Sequence, residues 1–285
     1  MADEARAEVL VDGLDHPEGV AYDHGNGVLY AGGEAGQIYA IRTRSGSFEE
    51  VARTAGFALG LAVDGAGRVV VCDGDDGALW VVTDGRPVRY LARAADRDLM
   101  MPNYPAFAPD GTLYFSDSGR WKEDVGAVIA VPPDGEAYVL DTTLNRFPNG
   151  CAVTPDGGEL WMIQSEGPDV SRYDLTTGGP PETVVRLPDT VPDGIALTAD
   201  GGAVISCYRP DRIYYLDPDG DLSVLIEDPQ GTMLAAPTNI CFIGDELNLL
   251  VSANLGRWHL TLIETGLVGV RPHAPDRWAF DGQPP

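Results

Sequence analysis

The chain is a succession of short apolar runs, four to seven residues long, broken by Gly, Asp, Asn and Pro. Runs of that length, rich in Val, Ile, Leu, Tyr and Phe and bounded by turn residues, read as β-strands. They also recur. The segments HPEGVAYDHGNGVLYAG (16–32), FALGLAVDGAGRVVVCD (57–73), MPNYPAFAPDGTLYFSD (101–117), FPNGCAVTPDGGELWMIQ (147–164), VPDGIALTADGGAVISC (191–207) and PTNICFIGDELNLLVS (237–252) align with one another. Each is an apolar strand, a turn and a second apolar strand. A third strand follows, such as GALWVV or RIYYLD, and then a fourth, such as AYVLD (137–141) or LSVLIE (222–227). Four short strands per repeat, six times over, predict an all-β six-bladed β-propeller. The repeats fill almost the whole chain, so residues 1–285 are expected to form a single domain. The spare segment AEVLVDGL (7–14) precedes the first repeat. It is expected to close the ring as the outer strand of the last blade, because separate sheets would leave long exposed edges.

Composition narrows the function. The formal charge is −25, from 44 acidic and 19 basic residues, with a lone lysine, Lys122. Phosphate backbones and anionic membrane surfaces need a basic face, so neither nucleic acid nor membrane is an expected partner; a small-molecule substrate is. No apolar run approaches the roughly 18 residues of a membrane helix. The acidic start MADEARAEVL lacks the pattern of a secretory leader. The four cysteines, at 72, 151, 207 and 241, lie in apolar runs with no zinc-site spacing. They read as buried reduced thiols, which with the missing leader suggests a cytoplasmic protein.

One aligned position is not explained by folding. The third residue of each segment is Glu18, Leu59, Asn103, Asn149, Asp193 and Asn239, at spacings of 41, 44, 46, 44 and 46. The first strand of each propeller blade lines the central channel, so these residues converge at its mouth. Five of the six carry oxygen. Two carboxylates with several carboxamides suit a hard cation, calcium above all, and offer no soft donors for zinc. The alternative is that Asn149-Gly150 and Asp193-Gly194 are plain turns. Against it, each repeat has its own turn about seven residues later, at Asp110-Gly111, Asp156-Gly157 and Asp200-Gly201, and a turn has no use for Glu18. Leu59 is expected to form an apolar wall, and Asn239 to face the bound molecule. His16, two residues before Glu18, either lines the mouth or packs in a turn.

At these residues the chain resembles the SMP-30/gluconolactonase (regucalcin-like) family. HPEGVAYD, MPNYPAFAPDGTLYFSDS, FPNGCAVTPDGGELW, VPDGIALTADGGAV and APTNICFIG occur in the family's order and separations. The resemblance implies a divalent metal on the propeller axis, often calcium, with Glu18, Asn149 and Asp193 matching its ligands. Asn103 matches a residue near metal and substrate, a direct ligand in the related organophosphate-hydrolysing propellers, and is expected to complete the metal ligands. It implies hydrolysis of a lactone or related ester by metal-activated water, with Asp193 as the general base. Two departures bear on the substrate. Met101 stands where sugar-lactone enzymes often have Arg, and Tyr104 where they often have Asp. Substrate hydroxyl contacts are therefore lost and a less polar substrate is favoured, with Tyr104 and Trp121 as apolar walls. Trp121 belongs to SGRWKEDVG (118–126), an insertion that reads equally as a substrate loop or a solvated hairpin. Organophosphate hydrolysis, a diverged isomerase or condensing enzyme, and a non-catalytic binding propeller stay open. Propellers of the strictosidine-synthase type lack the metal and predict no bound cation.

Overall fold

A computed structural model describes residues 5–280; the two ends of the expected 1–285 unit, including the first four residues read for a leader, lie outside them. Six four-stranded antiparallel sheets form the blades of a β-propeller. Blade 1 runs through Val20–Asp23, Val28–Gly32, Gln37–Arg42 and Ser47–Arg53, from the axis outward. Blades 2 to 5 begin with the inner strands Ala58–Val63, Pro102–Phe107, Pro148–Val153 and Val191–Leu197. Blade 6 takes Pro237–Ile243, Leu249–Asn254 and His259–Glu264 from the end of the chain and Arg6–Asp12 from its start. That N-terminal strand is the outer strand of the last blade, paired from Arg6 opposite Glu264 to Asp12 opposite His259. Among the described residues no helix is long and apolar enough to cross a membrane.

Burial falls from axis to rim, and the sequence pattern follows it. Val69–Asp73 and Ala127–Val131 are buried throughout, whereas Ser47–Arg53 is mostly exposed. A strand covered on both faces reads as a continuous apolar run, while an edge strand carries charge. The core lies between blades: Val70 and Leu79 of blade 2 pack on Leu113, Phe115 and Ile129 of blade 3.

The segment after the last strand has no repeat signal, yet it is tied down. It crosses the end of the channel opposite the mouth. Val270 N donates to Leu197 O (2.9 Å) in blade 5, and Gly65 N in blade 2 donates to Pro275 O (3.0 Å). Trp278 then enters the core between blades 2 and 3, against Phe107, with its Nε1 donating to the buried Asp64 carboxylate (2.8 Å).

Candidate active site at the mouth of the channel

Five of the six inner strands carry one extra residue at the same place. In blade 3, Pro102 pairs with Asp117 and the next ladder pair is Pro105 with Phe115. The same step separates Ala58 from Leu61, Pro148 from Cys151, Pro192 from Ile195 and Pro237 from Ile240. A bulge frees two residues from the ladder and re-aims their side chains. Here the first of the freed pair is Leu59, Asn103, Asn149, Asp193 or Thr238. In blade 1 the equivalent is Glu18, just ahead of the first strand.

This register separates the two Asp-Gly pairs of blade 5. Gly201 has φ +96°, as Gly111 (+93°) and Gly157 (+75°) do, and forms the hairpin turn after its inner strand. Asp193-Gly194 lies inside the strand, and Gly194 is not left-handed. Glycine is needed there for a different reason. The second freed residue faces the backbone of the next blade's mouth residue. A Cβ on Gly150 would lie 2.4 Å from Asp193 O, and one on Gly194 2.6 Å from Thr238 O. Gly150→Ala should therefore push Asp193 off the axis and cost about 1–3 kcal/mol, measurable as a lower urea midpoint at unchanged slope.

Two sequence expectations are corrected by this register. In blade 6 the residue at the mouth position is Thr238, because the bulge puts Asn239 one place further on, where blades 4 and 5 have glycine. Asn239 does not line the mouth cavity. It is fully buried, and its Nδ2 donates to Glu18 Oε2 (3.2 Å). Tyr104 occupies the same second position in blade 3. It turns away from the mouth into a cavity at the opposite end, its hydroxyl directed at Ile195 O (3.4 Å). It closes the channel beneath the site and forms no wall of the mouth.

Glu18, Asn103, Asn149 and Asp193 come together at the floor of a cavity of about 350 Å³ and are all buried. Asn149 Nδ2 donates to Ser165 Oγ (3.2 Å), whose hydroxyl donates to Pro192 O (2.7 Å). Thr238 Oγ1 donates to Glu18 O (2.9 Å). Despite these bonds, Oδ1 of Asn103, Asn149, Asp193 and Asn239 is buried with no hydrogen-bond partner among the described residues. Buried acceptors are rarely left unpaired. Burial disfavours the charged form of both acids. Burial, then the Asp193 charge, pushes the Glu18 carboxyl well above the usual carboxylate range. Burial raises Asp193 to about 7, against the opposing pull of the Asn149 amide. Unpaired oxygens around two desolvated acids, with no nitrogen or sulfur donor, fit a hard divalent cation.

Around this floor Leu59, Met101 and Trp121 stand on the cavity wall. Trp121 is 46% exposed at the rim and meets Phe147 edge-on, ring centroids 5.0 Å apart. Phe147 holds φ +59°, uncommon for a bulky residue. His16 is absent from the cavity lining. Its Nδ1 lies 3.0 Å from both Asp15 Oδ1 and Glu34 Oε2, and its Nε2 accepts from Trp258 Nε1 (3.1 Å). The half-exposed Asp15–His16–Glu34 group is thus a hydrogen-bonded cluster on the rim. The cysteines are free, and burial raises each thiol.

A set of positioning residues went unread in the sequence. The last residue of the second strand recurs as Asp73, Asp117, Gln164 and Asn254. Each accepts a backbone N–H from the segment leading into its own inner strand: Gly56 (2.7 Å), Met101 (2.7 Å), Arg146 (3.1 Å) and Ala235 (3.1 Å). The signal was a polar residue ending an apolar strand in repeat after repeat. Asp117 does most. It also receives Arg97 Nη2 (3.0 Å), which donates to Val125 O (2.6 Å) at the end of the Trp121 loop. Asp117→Ala would leave Arg97 uncompensated, so a loss of about 3–5 kcal/mol is expected in urea unfolding.

The SMP-30/Gluconolactonase/LRE-like region matches residues 12–253. The chain belongs to the SMP-30/gluconolactonase family. Among curated proteins, the Arabidopsis thaliana protein STRICTOSIDINE SYNTHASE-LIKE 6 is 27% identical over 206 residues, 66% of this chain and 55% of that protein. STRICTOSIDINE SYNTHASE-LIKE 4 of the same plant is 23% identical over 205 residues, again 55% of its length. The chain spans about half the length of the curated relatives it matches. Among solved structures, a gluconolactonase of Xanthomonas campestris superposes with a TM-score of 0.79 at 23% identity, over 93% of this chain and 90% of that one. A calcium-binding protein, regucalcin, of Agrobacterium tumefaciens gives 0.76 at 18% identity, over 95% and 96%. At these identities the structures show the shared propeller fold, and the family is one of lactonase-like propellers.

Proposed function

We propose that the protein is a metal-dependent hydrolase of a small lactone or related ester, with Asp193 as the general base. The observation that carries this reading is the ring of unpartnered buried oxygens around Glu18 and Asp193. Glu18, Asn149 and Asp193, with Asn103 beside them, would hold a divalent cation, calcium by the hardness of the donors. When bound, such a cation polarises the substrate carbonyl and offsets the charge that develops on its oxygen. The protein residues supply the rest. Glu18 and Asp193 balance a divalent charge between them, while the neutral Asn103 and Asn149 add none, so the site retains its pull on a carbonyl oxygen. The Asp193 carboxylate takes the proton of the attacking water and returns it to the leaving oxygen. In the metal-free site burial raises Asp193 to about 7; a cation beside it would hold the carboxylate ionised, ready to accept a proton, and lower its basicity. Asn239 and Ser165 fix Glu18 and Asn149 in place.

The likeness to the strictosidine synthase-like proteins supports a second reading, a condensing enzyme in the same channel. It differs in predicting no bound cation. Elemental analysis of the purified protein, with pH-monitored lactone hydrolysis before and after chelation, separates the two. We expect one equivalent of metal, loss of hydrolysis on chelation and recovery with calcium. Full hydrolysis after exhaustive metal removal would overturn the first reading.

A further inference from the structure

We infer that the site takes a neutral, apolar lactone or ester, carrying an alkyl or aryl substituent, and discriminates against polyhydroxylated sugar lactones. This inference rests on the hydrolase reading and specifies its substrate. Above the floor the cavity is walled by Phe57, Leu59, Met101, Trp121, Phe147 and Leu255. Of the polar side chains that share the wall, Ser165, Thr238 and Arg209 already have partners. Ser165 Oγ donates to Pro192 O and accepts from Asn149; Thr238 Oγ1 donates to Glu18 O. Arg209 pairs with Asp211 (3.0 Å) and lies over the Tyr208 ring at 4.8 Å. Asp75 is exposed.

A sugar hydroxyl held against the apolar part of this wall, away from Asp75 and Tyr208, would lose water and find no partner, a cost of roughly 1–3 kcal/mol for each buried group. That is roughly 5- to 150-fold in relative rate per hydroxyl. An apolar substituent gains instead. Each buried methylene is worth about 0.8 kcal/mol, or about fourfold. At about 350 Å³ the cavity is at the small end of ligand sites, with room for one or two rings or a short chain. Trp121 and Phe147 form the outer part of that wall, so the substituent points toward the rim while the carbonyl faces Asp193.

The test measures kcat/KM on the calcium-loaded protein for γ-lactones from γ-butyrolactone to γ-nonalactone, and for glucono-δ-lactone. We expect a rise of about fourfold per methylene until the cavity fills, with glucono-δ-lactone at least about a hundredfold below γ-nonalactone. Trp121→Ala should flatten the rise, and Trp121→Phe should restore most of it. In parallel, calorimetry compares binding of 2-pentylcyclopentanone and cyclopentanone, neither of which can be hydrolysed. Glucono-δ-lactone equal to or better than γ-nonalactone overturns the inference and leaves the hydrolase reading standing. If no lactone is hydrolysed, the hydrolase reading falls and the ketones decide. Binding of the pentyl ketone at least about tenfold tighter, lost in Trp121→Ala, sustains the apolar site; equal binding overturns it.

Discussion

Asp193→Asn is expected to lower kcat/KM for the best lactone by about a thousandfold, at saturating calcium, without unfolding the protein. Removal of a positioned general base costs about 10²–10⁴ in rate. Asparagine keeps the size of the side chain and one oxygen on the axis, so the loss should be mainly in kcat. Glu18→Gln provides the contrast. It too removes a charge, but from a residue with no assigned proton to move, so excess calcium should recover much of its activity. If both variants recover alike, Asp193 is only a ligand. Stability should move the opposite way to activity. Asp193 is an acid whose folded-state value, about 7, lies above its ordinary 3.8. Such a group costs stability when it is ionised, fully above pH 7, and the cost fades as pH falls toward 3.8. Metal-free Asp193→Asn should therefore melt higher than the metal-free parent at pH 8, and by a shrinking margin toward pH 4. Thermal melts of the two proteins at both pH values check the sign.

The blades were legible because the propeller repeats one local problem six times. Each inner pair must be apolar, each hairpin needs a glycine with positive φ, and both leave marks such as LYFSD and PDG. The N-terminal strand was legible for a related reason: a run of β-type residues without a blade of its own has one free edge to fill. The axial position was legible at Glu18, Asn103, Asn149 and Asp193 because polar side chains there break an otherwise apolar register. It failed at blade 6. A bulge adds one residue on one strand only, and PTNICF gives no sign of whether Thr238 or Asn239 is freed first. The ladder from Pro237–Asn254 to Ile240–Ser252 decides it. Tyr104 failed likewise. Its sequence neighbour Asn103 does face the mouth, but successive residues of a strand point opposite ways, and the bulge alone determines which. Residues 266–280 could not be placed at all, since a segment that crosses five repeats follows the period of none. Asp117 and its equivalents were visible as letters but not as roles, because their partners are backbone amides, which a sequence does not display.

Calcium is expected to raise the melting temperature strongly at pH 8 and hardly at pH 5. At pH 8, a calcium concentration about a hundredfold above Kd adds about 2.7 kcal/mol. For a chain of this size, that is a shift of roughly 5–10 °C. The cation needs both acids ionised, and metal binding must then expel whatever proton they hold. Asp193 begins to hold one near pH 7, and Glu18, raised by burial and by the Asp193 charge, competes for the same proton. From pH 8 to pH 5, expulsion of one proton from a group at about 7 weakens binding about a hundredfold. The same calcium then sits near Kd and adds about 0.4 kcal/mol, a shift of about 1 °C. Surface carboxylates on a chain of net charge −25 would also bind calcium, but weakly, with no proton to displace near neutrality. Two controls separate them. Glu18→Gln and Asp193→Asn should each lose most of the pH 8 shift, and 0.5 M salt should leave the parent's shift largely intact, because a buried site is poorly screened. A shift that is equal at both pH values, or that survives both substitutions, would place the bound calcium on the surface rather than on the propeller axis.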